Sequence, residues 1–131
     1  LAYAPPYAQA LDCLITAGHA ARNASAGRLR PVDQVAVHSL LEGAEDFVLL
    51  DLRSPNEFVR ARIDDRRVVN IPLDELGDRL GELPRDRKIV CMCSAGLRGY
   101  SAQRMLQAAG FSDVSTIEGG MFLWPWKDEL A

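Results

Sequence analysis

The sequence predicts an α/β domain, with a central, mostly parallel five-stranded sheet and helices on both faces. Three observations lead there. Short apolar runs occur at 47–50, 68–71, 88–92 and 114–117, and several are continuous rather than alternating, as in strands buried on both faces. Stretches with helical spacing separate them, the order that builds a parallel sheet. The 131 residues are 48% apolar and 25% charged, which suits one domain around one packed core.

Residues 1–30 differ from the rest. Pro5 and Pro6 hold the stretch from Leu1 to Tyr7 extended. Residues 11–21 have helical spacing interrupted by Gly18, and 23–27 have linker composition. A boundary is expected near Arg30, with 1–30 a linker and the tail of a preceding domain, and 31–131 the folded domain. Residues 35–37 read as a short first strand, followed by a brief helix through Leu41 that Gly43 ends. The second strand covers 47–50. Ser54 and Pro55 then start a short helix, with proline in the first turn, where its missing N–H is harmless. The third strand, 68–71, stops at Pro72, and a helix is expected from Leu73 to about Leu83 before Pro84. After the fourth strand, 88–92, a helix runs from Arg98 to Ala109 and Gly110 closes it. The last strand, 114–117, ends in Gly119-Gly120, and a terminal amphipathic segment follows.

Composition also excludes function classes. Fifteen Lys and Arg against eighteen Asp and Glu give a net charge of −3, so no global field attracts nucleic acid. No stretch approaches ~20 uninterrupted apolar residues, so no membrane span is expected. The first twenty residues lack a basic start and contain Pro5, Pro6 and Asp12, unlike a signal peptide. Three cysteines are too few for a disulfide scaffold and suit a reducing, cytoplasmic setting. A chain that starts at Leu1 rather than Met is expected to be a piece of something longer.

Parallel sheets bind ligands at the carboxyl ends of their strands, which directs attention to the segment after Met92. Cys93-Ser94-Ala95-Gly96-Leu97-Arg98-Gly99 follows a buried strand and opens a helix. Backbone N–H groups there would converge on one centre. The helix dipole and Arg98 would both favour an anion and the thiolate of Cys93, and Gly96 permits the backbone such a cradle needs. Cys91-Met92-Cys93 offers too few ligands for zinc, and Cys91 reads as core. His38 reads as a residue capping or flanking a helix. Met121, Trp124 and Trp126 read as packing residues.

Strand, Cys-x-x-Gly-x-Arg, helix resembles the active-site loop of the rhodanese (sulfurtransferase) family. The resemblance extends to Asp51-Leu52-Arg53 with Glu57-Phe58, to Asn70-Ile71-Pro72 and to Glu118-Gly119-Gly120-Met121 with Trp124. It covers about residues 32–128. The chain departs from the family between Ala61 and Arg67, where a charged segment replaces a Gly-His-Ile element. Gly96-Leu97-Arg98-Gly99-Tyr100 and residues 1–7 further resemble the rhodanese domain fused behind coenzyme A-disulfide reductases, a kind of pyridine nucleotide-disulfide oxidoreductase.

The resemblance implies a rhodanese-like fold and sulfurtransferase activity. Cys93 would be the catalytic nucleophile, taking sulfane sulfur from a thiosulfate, persulfide or polysulfide and yielding it to a thiol acceptor. Ser94, Ala95, Gly96, Leu97, Arg98 and Gly99 would bind the substrate. Arg98 would either face the substrate anion or tie the loop down through Asp51. Asp51 and Arg53 would support the loop, and Glu57 reads as a helix or ion-pair residue. No metal is implied and no cofactor in this domain, since no Gly-x-Gly-x-x-Gly occurs. FAD and NAD(P)H are implied for a fused reductase portion. Arg60, Arg62, Arg66 and Arg67 read as a solvated rim that could meet the phosphates of a coenzyme A persulfide. Two other readings stay open. One is a non-catalytic binding module. The other is a related cysteine phosphatase, which has five residues between Cys and Arg where this chain has four.

Overall fold

Two core strands lie at the centre of the sheet, β2 (Phe47–Asp51) and β4 (Lys88–Met92). The computed structural model of the chain describes residues 30–131; the expected helix at 11–21, the linker at 23–27 and Cys13 lie outside them. With β1 (Pro31–Val32), β3 (Val68–Asn70) and β5 (Val114–Ile117), the sheet has the order β1-β5-β4-β2-β3. Every neighbouring pair is parallel. The pleat divides the apolar side chains between two cores. Val48, Leu50, Ile89, Cys91 and Cys93 pack on one face with Ala102 and Leu106. Phe47, Leu49, Val90 and Met92 pack on the other with Val37, Met121 and Trp124.

The helices are α1 (Gln34–Glu42), α2 (Pro55–Arg60), α3 (Leu73–Leu76) and α4 (Leu97–Ala108). The first expected strand is corrected. Residues 35–37 belong to α1, whose N-cap Asp33 accepts the Ala36 amide at 2.7 Å. Val37 alone of that run is fully buried, and the fifth strand is the two-residue β1 before it. The helix expected over 73–83 is also shorter. It stops at Leu76 before Gly77, and a separate 3₁₀ turn covers Leu80–Glu82.

His38, read as capping or flanking a helix, and Arg67, read as part of a solvated rim, both have structural roles. His38 lies within α1 and stacks on Trp126 with ring centroids 3.8 Å apart, its Nε2 3.0 Å from Glu129 Oε2. Arg67 is largely buried and donates to Asp65 and to the carbonyls of Leu40, Leu41, Gly43 and Glu45. A cation there satisfies the free carbonyls at the end of α1. Arg66 and Arg67 precede β3 and so stand at the amino edge of the sheet, away from the strand ends where Cys93 lies. They do not form a rim around that cysteine. Among the described residues, no helix is long and apolar enough to cross a membrane.

Candidate active site

All five strands run the same way, so their carboxyl ends form one edge. Register sets Asp51 beside both Asn70 and Met92. Cys93 is the first residue beyond β4. It shares its face with Cys91, and its sulfur accepts the Gly96 amide at 3.0 Å. Gly96 has φ +111°, in the left-handed region, and caps α4. The next three amides, from Leu97, Arg98 and Gly99, open a helix and so lack intrahelical acceptors. They form the first turn of a helix of 12 residues, whose positive end starts at the Gly96 cap that donates to Cys93.

The loop residues divide by environment. Ser94, Gly96 and Arg98 are half-buried, while the Ala95 and Leu97 side chains are exposed. Gly99 is buried for a packing reason. A Cβ there would lie 2.7 Å from Thr116 Cγ2, so only glycine lets α4 approach β5 so closely.

Arg98 is tied down, but not through Asp51. Its guanidinium makes a fork on Glu57, Nη1 to Oε2 at 2.9 Å and Nη2 to Oε1 at 3.0 Å. It also donates to Ser94 Oγ at 2.9 Å, and Ser94 Oγ donates to Glu57 Oε1 at 3.0 Å. The Ser54 amide donates to Glu57 Oε2 at 2.8 Å, closing a capping box on α2. Arg98, helped by the Ser54 amide, therefore holds the Glu57 carboxyl well below the usual carboxylate range. One carboxylate joins the start of α2 to the cysteine loop.

Asp51 pairs with Arg53. Arg53 Nη2 reaches Asp51 Oδ2 at 2.7 Å and Nε reaches Oδ1 at 3.0 Å, both residues being buried. Arg53 also donates to the Ala61 carbonyl at 2.8 Å, which fixes the end of α2. The Asn70 amide nitrogen donates to the carbonyls of Asp51 and Arg53 at 3.0 and 2.9 Å. These residues form a frame under the loop.

A double-glycine turn braces the other side. The Met121 amide donates to the Cys93 carbonyl at 2.8 Å, and the Phe122 amide to the Ser94 carbonyl at 2.9 Å. Gly119 and Gly120 both have positive φ, +68° and +55°. A Cβ on Gly120 would lie 2.1 Å from the Cys93 carbonyl oxygen. Cys91 has no part in the loop: burial pushes its thiol far up, the neighbouring Cys93 adds to this, and it stays protonated. Among the described residues, no group of three or more His, Cys, Asp and Glu is placed to hold a metal ion.

Two contributors were legible only in part. Glu57 was read as a helix or ion-pair residue, and the Ser54-x-x-Glu57 spacing of a capping box could have placed it at the start of α2, but its reach to Ser94 and Arg98 depends on tertiary placement. The brace had one signal, two adjacent glycines after a strand.

Comparison with known proteins bears on this arrangement. The family model described as "Rhodanese-like domain" matches residues 34–125. A sulfurtransferase of Allochromatium vinosum is 31% identical over 93 residues, which are 71% of this chain and 85% of that protein. Among solved structures, reduced Bacillus anthracis CoADR-RHD is similar with 40% identity and a TM-score of 0.80 over 95% of this chain. A NAD-dependent persulfide reductase from A. fulgidus is similar with 43% identity and a TM-score of 0.77, also over 95%. This chain spans 21% of the length of each of those two solved proteins.

Proposed function

The chain belongs to the rhodanese-like domain family, and on that premise we propose that it transfers sulfane sulfur through a persulfide on Cys93. The thiolate attacks the outer sulfur of a thiosulfate, persulfide or polysulfide. The new bond is Cys93 Sγ to sulfur. The donor's own S–S bond breaks, and its remainder leaves with the bonding pair as sulfite or a thiolate. An acceptor thiolate then attacks the outer sulfur of the Cys93 persulfide and frees Cys93 as a thiolate. Both halves balance without an added oxidant or reductant.

The observation that carries this reading is the Gly96 amide 3.0 Å from Cys93 Sγ, at the start of α4. An amide already aimed at the sulfur can take part of its charge, or that of a terminal persulfide sulfur, without reorganising. Ser94 to Gly99 hold the loop in shape. Arg98 acts through its fork on Glu57, and Asp51 and Arg53 keep the frame rigid.

The same reading makes this domain part of a larger cytoplasmic protein, behind a flavin-dependent reductase of coenzyme A disulfides or persulfides. FAD and NAD(P)H would belong to that portion, and a coenzyme A persulfide is one candidate donor. Similarity over nearly this whole chain to two proteins of about five times its length supports the fusion.

Cys93 is almost fully buried, and this favours a second reading, a binding module that does not turn over. Turnover with cyanide as acceptor separates the two. Wild type should form thiocyanate from at least one sulfane donor, while Cys93→Ser and Cys93→Ala should form none. Equal rates in wild type and both variants would overturn the proposal, and a wild type inert with every donor would favour the binding module.

A further inference from the structure

The charge around the cysteine loop is cancelled locally. Arg98, the loop's cation, faces the Glu57 carboxylate in a two-bond fork and shares Ser94 with it. Arg53 is committed to Asp51 and to the Ala61 carbonyl. On the flanking turn, Lys127 donates to the Met121 carbonyl and the acidic Glu118 precedes Gly119. Among the described residues, the two arginines hydrogen-bonded into the loop and its frame, Arg98 and Arg53, are each already paired with a carboxylate. The side chains bordering the loop are apolar as well: Leu97, Phe122 and Leu123 are each more than half exposed.

We propose that Glu57 is a specificity-determining residue, which masks Arg98 so that the loop takes sulfur from small organic persulfides in preference to thiosulfate. Thiosulfate carries two negative charges, spread over the sulfur to be transferred and oxygens two bonds from it. Seating it beside a thiolate would require an opposing cation, because the amides of α4 supply about half a charge. An organic persulfide brings at most one charge to the sulfur, and its carbon tail can lie on Leu97 and Phe122. The step is Cys93–S⁻ with R–S–SH giving Cys93–S–SH and R–S⁻. The sulfane sulfur moves as a neutral atom and nothing else is oxidised or reduced. This inference rests on the sulfur-transfer reading above and adds the donor class.

The test is the rate at which Cys93 gains one sulfur, read by intact mass, from cysteine persulfide and from thiosulfate. Wild type should load at least about tenfold faster from cysteine persulfide. Its thiosulfate rate should not fall as salt is raised, since Arg98 is already paired with Glu57 and offers the dianion little attraction to be screened. Glu57→Gln should raise the thiosulfate-to-persulfide ratio about tenfold by exposing Arg98, and added salt should erase that gain. Glu57→Asp, which keeps the charge, should restore the wild-type ratio.

Equal wild-type rates from both donors, or a wild-type thiosulfate rate that falls steeply as salt is raised, overturn the proposal even if no variant folds. A folded Glu57→Gln that loses both rates equally shows a merely structural role and overturns it too. Loading from neither donor instead removes the sulfur-transfer reading on which it rests.

Discussion

Gly120→Ala tests whether the double-glycine turn holds the cysteine loop in place. The added Cβ would stand 2.1 Å from the Cys93 carbonyl oxygen and 2.8 Å from the Ser94 carbonyl carbon and oxygen. These are backbone atoms, so no side chain can swing away. Restoring ordinary contact moves the loop or the turn by about 1 Å. That displacement weakens the Met121–Cys93 and Phe122–Ser94 hydrogen bonds, each worth about 1 kcal/mol. Alanine at φ +55° adds about 1–2 kcal/mol of left-handed strain. Together these predict about 3–4 kcal/mol of lost stability. A misplacement of that size at a reacting group also slows chemistry by about 10²-fold. Urea unfolding reads the first quantity, and the rate of sulfur addition to Cys93 from cysteine persulfide reads the second. A variant within about 0.5 kcal/mol and twofold of wild type in these assays would refute the argument.

Further outcomes follow from the same contacts. Asp51→Ala leaves the buried Arg53 guanidinium unpaired and should cost about 3–5 kcal/mol in urea unfolding; a loss under 1 kcal/mol would contradict a buried pair. Gly99→Ala forces a methyl against Thr116 at the α4–β5 contact and should destabilise by about 1–3 kcal/mol while keeping the far-ultraviolet circular dichroism. Cys91→Ala should still gain one sulfur, because Cys91 stays protonated; loss of loading with the fold intact would move the nucleophile. Glu57 has its folded pKa depressed below 4.5, so its contribution is complete above that pH and fades as pH falls further. Stability should thus fall less steeply with acid in Glu57→Gln than in wild type, with the difference confined to below about pH 4.5; identical slopes would count against the ion pair.

The core strands and the cysteine loop were legible because their signals are local. A continuous apolar run marks β2 and β4, and a cysteine followed three residues later by glycine marks a strand-to-helix turn. Residues 35–37 misled because Val-Ala-Val, with two β-branched residues, fits a strand or one helical turn equally; in the structure Asp33 caps the helix that contains them. The helix beyond Leu73 was overextended because Leu80 and Leu83 keep helical spacing past Gly77. Asp51 was the expected partner of Arg98, yet it is taken by Arg53, two residues on. Glu57 is the partner because α2 starts beside the loop, and no spacing encodes that adjacency. Arg67 looked solvated because its carbonyl acceptors lie more than twenty residues away in the chain.

The most direct measurement of the central claim is intact mass of the reduced protein after brief exposure to cysteine persulfide or thiosulfate, with Cys93→Ser alongside. The account predicts gain of one sulfur atom on wild type, mapped to Cys93 and removed by cyanide or excess thiol, with none on the variant. Sulfur gained equally by Cys93→Ser, or no gain from either donor by a folded wild type, would contradict it.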